Sequence, residues 1–521
     1  MSGGSVVDES GGAERQSLYG KLTKQVVVCT VIAAVGGFMF GYDIGISGGV
    51  TSMDMFLKKF FPSVYVKKHA AKTNNYCKYD NQYLQLFTSS LYFAAIVASF
   101  VASKVVKTKG RRPTIQIASV FFLIGAGLNG FAQNLAMLIA GRLFLGAGVG
   151  FGNQAVPLFI SEIAPPRYRG GLNICFQLLI TLGILSANII NYFTSMLQPN
   201  GWRISLGGAA VPAIILLFGS MMIVETPTSL LERGKSEKGL KTLKKIRGVD
   251  NVDEEYAEIL NAVELARQVQ HPFRNLKKQY NRPQLVCGTI IPVFQQLTGI
   301  TSVVFYAPVL FQTMGFGDNA SLFSAVITNT LKPVCTVIAI VLVDKFGRRA
   351  LLIEGAIQML ISQCVIGGFL AAFLKTTDVM PRQYALGVIF LICIFLSGFA
   401  WSWGPLGWLI PSEIYPVETR SAGFAVAVSM NMFTTFLVAQ SFLTMLCHMR
   451  SGIFFFFAVL LATMALYALF LLPETKEIMI DQMIEKVWKK HWFWKRYYDD
   501  YDTGTIGKQG IQDEPLEKTI A

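Results

Sequence analysis

Twelve long runs of apolar residues alternate with polar segments along the chain. A helix needs about 20 apolar residues to cross the hydrocarbon core of a bilayer, and each run is about that long or longer. The runs lie at about residues 25–47, 83–106, 113–133, 136–160, 170–197, 203–224, 284–313, 320–343, 350–374, 384–410, 421–447 and 452–472. The pattern predicts an all-α membrane protein with twelve transmembrane helices.

The composition excludes an ordinary soluble enzyme. Of the 521 residues, 52% are hydrophobic and only 15% are charged, whereas soluble proteins usually carry about 25% charged residues. The net charge of +14 comes largely from short loops between the apolar runs. Such loops set membrane topology, so the charge does not indicate nucleic-acid binding.

The basic loops also predict the orientation of the chain. Lysines and arginines fill the loops 107–112 and 345–349, whereas the loop 315–321 has none. Basic loops stay on the cytoplasmic side, so both termini are expected to be cytoplasmic. The loop 51–81 is an exception, because it carries several lysines on the outer side. It is long, and long loops follow the charge rule less strictly.

The two halves of the chain repeat the same motifs in the same order. The stretches 109–112, 161–165 and 225–227 recur, with small changes, roughly 240–250 residues further along. Two parallel repeats with a site between them are typical of rocking-bundle transporters. The predicted divisions are a cytoplasmic tail (1–24), a six-helix half (25–224) with an outer lid loop (51–81), a cytoplasmic helical segment (225–282), a second six-helix half (283–472) and a cytoplasmic tail (473–521).

Several motifs resemble the sugar porter branch of the major facilitator superfamily. They are the repeated Gly-Arg-Arg loops and the stretches 225–232, 295–299 and 473–476. The stretches 41–50, 77–82 and 401–408 are similar to the plant monosaccharide–proton symporters called sugar transport proteins. The resemblance runs from about residue 25 to 494.

This resemblance implies a major facilitator fold with two pseudo-symmetric six-helix halves, and a plasma-membrane location. It implies import of a glucose-like hexose together with a proton by alternating access. The expected partners are the sugar, the proton and the lipid bilayer, with the monomer as the functional unit. We expect no enzyme activity, no cofactor and no metal site. The rival functions are a uniporter of the same fold and a transport-impaired sugar-binding or sensor homologue.

Asp43 is the sole acid in the first apolar run. An ionisable residue inside a membrane is costly and is functional by default. Arg142 begins the fourth run at a matching depth, and the resemblance implies that the two form the proton-coupling site. The alternative is a static structural ion pair.

Sugars present hydroxyl groups and apolar ring faces, so a sugar site needs amides and aromatic rings. Asn431 and Thr435 are four residues apart and share one helix face. Phe40 either packs beside the sugar or serves as an ordinary core aromatic. Any single polar residue could instead join two helices, but together these residues match the sugar contacts of the family: Phe40, Gln177, Gln295, Gln296, Trp408, Asn431 and Thr435.

Two positions in this predicted site depart from the family. Thr301 and Lys332 stand where the family usually has asparagine. A lysine at mid-membrane costs roughly 2.5–3.5 kcal/mol on insertion scales. Three outcomes follow: a compensated pocket that still takes hexoses, poor or absent transport, or an anionic sugar as substrate.

The resemblance also implies a cytoplasmic gate and an outer disulfide. Cys77 and Cys447 both face the outer, oxidising side, and a bridge between them would tether the lid loop to the second half. Exposed ion pairs are worth on the order of 1 kcal/mol, which suits a gate that must open. The alternative for the gate charges is a topology signal alone. The expected gate residues are Arg112, Glu162, Arg169 and Glu225, with Arg349, Glu413, Arg420 and Glu474 in the second half.

Overall fold

The computed structural model describes residues 22–70, 77–165, 168–197, 199–267, 272–305, 308, 311–312, 317–373, 382–476, 478 and 483–498. All regular structure within these residues is helical, and they contain no strand. The predicted N-terminal tail up to residue 21 and the C-terminal tail beyond residue 498 lie outside the described residues.

The first half contains nine helices within its described part. They are α1 (Lys24–Val50), α2 (Asp54–Phe60), α3 (Pro62–His69), α4 (Gln82–Lys109), α5 (Arg111–Gly130), α6 (Leu135–Ile163), α7 (Arg169–Ser195), α8 (Gly201–Gly207) and α9 (Ala210–Met222). The helices α2 and α3 form a small lid between α1 and α4. The side chain of Asn81 caps α4 by accepting from the N–H groups of Tyr83 and Leu84, and Gly110, at φ +101°, ends it.

The central polar segment and the second half contain twelve further α-helices within the described residues. The segment holds α10 (Pro227–Glu232), α11 (Ser236–Arg247), α12 (Asp253–Arg267) and α13 (Pro272–Asn275). The second half holds α14 (Arg282–Leu297), α15 (Ile300–Phe305), α16 (Asp318–Phe346), α17 (Arg348–Phe373), α18 (Arg382–Trp401), α19 (Trp403–Ile414), α20 (Val417–Met449) and α21 (Gly452–Phe470).

Eleven helical segments of the described chain are long and apolar enough to cross a membrane. The remaining predicted run, 284–313, is interrupted. Its first helix, α14, has 16 residues and ends at Thr298, and Gly299 then adopts a left-handed φ of +81°. Non-helical backbone is tolerated at membrane depth where it is buried in protein or lines a cavity. The break at Gly299 is accordingly buried inside the protein, against the ring of Phe457.

A stripe of glycines brings α1 and α7 into close contact. Gly37, Gly41 and Gly45 recur every four residues and face α7, and a Cβ added at Gly41 would collide with the carbonyl group of Ile180. Small residues let helix backbones approach in this way inside membranes. The close contact therefore fixes this part of α1 against α7. Asp43 lies in the same part, between Gly41 and Gly45.

The two halves contact each other along α4 and α20 and along α7 and α16. We name the end of the molecule that holds Arg111 and Arg348 the basic side, and the end that holds Cys77 and Cys447 the disulfide side. Near the disulfide side the rings of Tyr192 and Phe323 lie 5.8 Å apart. Toward the basic side a Cβ on Gly171 would lie 3.3 Å from the side chain of Ile340. The halves thus meet at both ends and enclose the residues between them.

Candidate functional site

The structure pairs Asp43 with Arg142 inside the first half. Nη1 of Arg142 donates to Oδ1 of Asp43 at 2.5 Å, and both side chains are buried. The second carboxylate oxygen of Asp43 and Nη2 of Arg142 have no hydrogen-bond partner in the described part of the chain. Removing one partner of a buried ion pair leaves an uncompensated charge. Protonation of Asp43 would therefore free Arg142 for other partners.

Aromatic rings cover this pair toward the disulfide side. The ring of Phe87 lies 4.9 Å from the guanidinium carbon of Arg142, and Phe56 of the lid packs on Phe87 with ring centroids 5.3 Å apart. Phe56 also contacts Trp202 at 5.9 Å. The lid is thus connected to the ion pair through a single intervening ring.

Cys77 and Cys447 form a disulfide, with their Cα atoms 4.6 Å apart. Thr444 reinforces this contact, because its hydroxyl donates to Asp80 at 2.8 Å and accepts from the Gln85 amide at 3.0 Å. The disulfide therefore links the segment just before α4 to the end of α20, across the boundary between the halves.

A cluster of side-chain amides lies in the middle of the second half. Gln295 donates to the carbonyl groups of Trp403 and Gly404 at 3.1 and 2.7 Å. Asn431 donates to Oε1 of Gln295 at 2.8 Å, and Gln296 donates to Oδ1 of Asn431 at 3.3 Å. All three amides are buried. We call Gln295, Gln296 and Asn431 the amide cluster.

Thr301 and Thr435 lie beside the amide cluster. The hydroxyl of Thr301 donates to Oε1 of Gln296, and that of Thr435 donates to the backbone carbonyl of Asn431 at 2.8 Å. Thr301 follows the break at Gly299, so the interruption of the helix brings its hydroxyl back to the cluster.

Trp408 lies on the basic side of the amide cluster and touches the first half. Its ring is 5.7 Å from that of Phe176, in an edge-on arrangement, and Gln177 is the next residue on α7. Phe40 and Gln177 are both buried. Among the described residues neither side chain forms a hydrogen bond with the amide cluster, so hydrogen bonding does not group Phe40 and Gln177 with it.

Lys332 is buried on α16, with 2% of its surface exposed. Within the described residues its ammonium group has no ion pair and no hydrogen bond, whereas its backbone carbonyl accepts from Thr336 at 2.9 Å. Lys332 thus lies in the interior, as predicted, and no described side chain balances a charge on it.

A charged network joins the helices at the basic side of the first half. Arg111 pairs with Glu162 at 2.7 Å and with Glu232 at 2.5 Å. Glu225 accepts from the backbone N–H groups of Arg111 and Arg112 at 3.0 and 3.2 Å. This network holds the start of α5 against the end of α6 and the helix α10.

The second half repeats this network. Arg348 pairs with Glu413 at 3.2 Å and with Asp344 at 3.7 Å. Glu474 accepts from the backbone N–H groups of Arg348 and Arg349 at 2.9 and 3.0 Å. The internal repeat in the sequence therefore reappears as two matching ion networks.

The structure differs from the sequence-based expectation for Arg112 and Arg349. The guanidinium group of Arg112 donates to the carbonyls of Ser220 and Met221. That of Arg349 donates to the corresponding carbonyls, those of Ala468 and Leu469. Adjacent residues on a helix point about 100° apart, so only the first arginine of each pair faces the carboxylates. Arg111 and Arg348 were missed for this reason, and the available signal was the doubled arginine itself. Glu232 was missed as well, although it lies in the stretch 225–232 that carries the family resemblance.

Two further residues of the predicted gate, Arg420 and Arg169, lie where the halves meet. Arg420 donates to Oγ of Ser161 at 3.3 Å and to the carbonyl of Ser412 at 3.0 Å. Arg169 interacts electrostatically with Glu413. Asn173 adds a direct hydrogen bond of 2.7 Å to Ser412. These contacts close the basic side across the two halves.

Short polar side chains connect α4 with α20 along their length. Their hydrogen-bonded pairs include Ser103–Ser421 (3.0 Å), Ser99–Ser429 (2.5 Å), Ser89–Gln440 (2.6 Å) and Gln85–Thr444 (3.0 Å). Each bond contributes about 1 kcal/mol or less inside a membrane. An interface of this kind can separate and reform.

Comparisons with known proteins agree with this architecture. Residues 29–488 match the family described as "Sugar (and other) transporter". The chain is 60% identical over 500 residues to Sugar transport protein 8 of Arabidopsis thaliana, covering 96% of this chain and 99% of that relative. It is 61% identical over 485 residues to Sugar transport protein 6 of the same plant, covering 93% and 96%.

The structure is also similar to a solved transporter. The proton:xylose symporter XylE of E. coli, a major facilitator superfamily protein bound to 6-bromo-6-deoxy-D-glucose, matches with a TM-score of 0.76 and 25% identity. The match covers 89% of this chain and 99% of that one. The predicted twelve-helix major facilitator fold is thereby confirmed, as is the prediction that the chain is a membrane transporter of this superfamily rather than an enzyme.

Proposed function

The chain belongs to the sugar transporter family, and from that premise we propose that it imports a monosaccharide together with a proton. The observation that carries the proposal is the buried pair of Asp43 and Arg142, whose atoms lie 2.5 Å apart. Protonation removes the negative charge of Asp43 and leaves the buried positive charge of Arg142 without its partner, so proton uptake is coupled to a rearrangement of Arg142. The structural similarity to XylE, a proton:xylose symporter, supports the same coupling.

The proposed cycle begins with the disulfide side facing the outside. Asp43 takes up a proton, Arg142 is released, and the contacts of Arg142 with Phe87 on α4 rearrange. The sugar binds between the halves, with its hydroxyl groups on the amide cluster and Thr301 and an apolar ring face beside Trp408. The halves then rock, the contacts at the basic side separate, and sugar and proton leave on that side.

The free energy for accumulation comes from the proton gradient. One charge that crosses 100 mV supplies about 2.3 kcal/mol. In this proposal the protein lies in the plasma membrane with both termini cytoplasmic, and the chain divides as the sequence predicts, with α10 to α13 beneath the membrane. The monomer holds every group that the cycle uses.

Uptake of labelled sugar in yeast lacking its own hexose transporters tests the proposal. We expect uptake at acidic external pH to fall to background with an uncoupler. The Asp43→Asn variant is expected to lose accumulation against a gradient, whereas Glu258→Gln, at an exposed acid on α12, is a matched control and is expected to keep it. Uptake that is unaffected by external pH and by the uncoupler would instead establish a uniporter.

The uncompensated charge of Lys332 favours a second candidate function. A neutral hexose leaves this buried ammonium group unpaired, so hexose could bind without being carried. A sugar-binding homologue of this kind would show thermal stabilisation by glucose but no flux, at normal surface expression. Restored flux in the Lys332→Asn, Thr301→Asn double variant would identify the two departures as the cause.

A further inference from the structure

Lys332 faces the interior of the protein and not the lipid. It belongs to a buried stripe on α16, whose members recur every three or four residues: Ala325, Thr328, Asn329, Lys332, Thr336, Ala339 and Val343. The opposite face carries exposed apolar side chains, among them Ile327, Val334 and Val341. A helix that spans a bilayer presents its apolar face to lipid, so the stripe faces the other helices.

Lys332 lies at the same depth as the amide cluster. It is the middle residue of the 29-residue helix α16, about 20 Å from the basic-side end at 1.5 Å per residue. Gln296 and Asn431 each occupy the fifteenth position of helices that start on the basic side, α14 and α20. The same rise places both of them about 20 Å from that side.

The helices α14 and α16 both contact the stretch of chain at residues 400–404. Thr336, one turn from Lys332, donates to the carbonyl of Ala400 at 3.3 Å. Gln295 donates to the carbonyls of Trp403 and Gly404 on the same stretch. The buried face of α16 that carries Lys332 is therefore adjacent to the amide cluster.

Two polar groups on this face of α16 have no hydrogen-bond partner among the described residues. One is the ammonium group of Lys332, a residue with 2% of its surface exposed. The other is the buried Oδ1 of Asn329, one turn away. Charged residues inside membranes pair with one another or mark the position of a substrate. No described carboxylate pairs with Lys332, so a protonated Lys332 would take its negative partner from a ligand.

We propose that Lys332 binds a carboxylate of the substrate, so that the preferred substrate is a sugar acid such as a hexuronate. The inference rests on the proposed function and specifies its substrate class. The amide cluster and Thr301 take the ring hydroxyls, and Asn329 accepts from one more. A carboxylate fits better than a phosphate, because a single ammonium group balances one negative charge and not two.

The charge balance of transport follows from this assignment. A hexose carried with one proton moves one positive charge inward in each cycle. A hexuronate anion carried with one proton moves no net charge. We therefore expect uptake of the sugar acid to depend on external pH and to be nearly independent of membrane voltage.

The test is uptake of labelled D-glucuronate and D-glucose into oocytes or transporter-free yeast expressing the full chain. We expect saturable, uncoupler-sensitive glucuronate uptake without inward current, and at least tenfold weaker competition by glucose. Loss of one charge-assisted hydrogen bond corresponds to about tenfold or more in affinity. Lys332→Asn should show that loss and gain glucose uptake, whereas Lys345→Asn, at an exposed lysine of the same helix, is the matched control.

The outcomes separate the two proposals. Uncoupler-sensitive glucose uptake that glucuronate does not inhibit would overturn the assignment of Lys332 and leave the proposed function in place. If neither sugar is transported, the proposed function fails, and thermal unfolding of the purified chain then decides the assignment. Stabilisation by glucuronate that Lys332→Asn abolishes would support a carboxylate site, and absence of stabilisation would refute it.

Discussion

Phe87 contacts Arg142 through both its backbone and its ring. Its carbonyl oxygen accepts from Nε of Arg142 at 3.1 Å, and its ring lies 4.9 Å from the guanidinium carbon. The ring of Phe56, in the lid, packs against the ring of Phe87. A change in the charge partner of Arg142 therefore acts on α4 and on the lid at the same time.

Truncation of Phe87 is expected to weaken this connection. Phe87→Ala removes a buried ring, and such changes typically cost about 3–5 kcal/mol in free energy of unfolding. We expect a clear fall in the midpoint of thermal unfolding of the purified protein. Phe93→Ala, at a 58% exposed ring on the same helix, should leave the midpoint nearly unchanged. Equal losses in the two variants would contradict the prediction.

The doubled arginines should differ sharply in their effect on stability. Arg111→Gln leaves Glu162 buried without its charge partner, and breaking a buried pair costs about 3–5 kcal/mol. Arg112→Gln removes hydrogen bonds to the carbonyls of Ser220 and Met221 and leaves no buried carboxylate without its charge partner. We expect thermal unfolding to show a much larger loss for Arg111→Gln.

The internal repeat provides a second comparison for the same prediction. Arg348→Gln and Arg349→Gln should show the same order in the second half, since Arg348 holds Glu413. A larger effect at the second arginine of either pair would count against the network described above.

Glu418, at the start of α20, should make stability depend on pH. Burial raises the pKa of its carboxyl group above the ordinary value of 4.5, and the exposed Lys278 partly opposes this. The folded state then binds more protons than the unfolded state between the two pKa values, so the free energy of unfolding falls as pH rises through the folded-state pKa. We expect Glu418→Gln to raise the unfolding midpoint at pH 7.5 and to have little effect at pH 4.

Lys278→Gln is the companion variant for this prediction. It removes the attraction that favours the ionised form, so it should lower the unfolding midpoint at pH 7.5 and leave it unchanged at pH 4. A pH-independent effect in both variants would show that packing, rather than ionisation, is responsible.

The glycine stripe on α1 should not tolerate a methyl group. Gly41→Ala places a Cβ against the backbone of Ile180, which cannot yield without moving α7. We expect loss of surface expression or of uptake. Gly127→Ala, with no atom within 4 Å of the added Cβ, should be neutral or slightly stabilising, since alanine favours helix by roughly 1 kcal/mol. Normal uptake in Gly41→Ala would refute the tight contact.

The sequence predicted the helical spans well because each needs only an uninterrupted length of apolar residues. It could not predict the break at Gly299, since Gln295 to Thr301 reads as helix by composition. Here the break depends on tertiary contacts of Gln295 and Thr301. The partner of Asp43 could be predicted, because depth in a membrane follows from position along a helix.

The sequence could not predict in the same way which of two adjacent arginines pairs with Glu162 or Glu413. That choice depends on helix rotation, which is set by packing against neighbouring helices. The ring contact between Phe56 and Phe87 was missed for a related reason, since short lid helices carry no long periodic pattern that would orient them.

The bridge between Cys77 and Cys447 has a mechanical consequence for the transport cycle. The bridge holds the segment just before α4 against the end of α20, with the Cα atoms of Cys77 and Cys447 4.6 Å apart. This corner of the disulfide side therefore cannot widen when the molecule opens outward. The opposite corner holds the ring contact of Tyr192 with Phe323 and no disulfide among the described residues. In the proposed cycle we therefore expect outward opening to displace the corner at Tyr192 more than the corner at the disulfide.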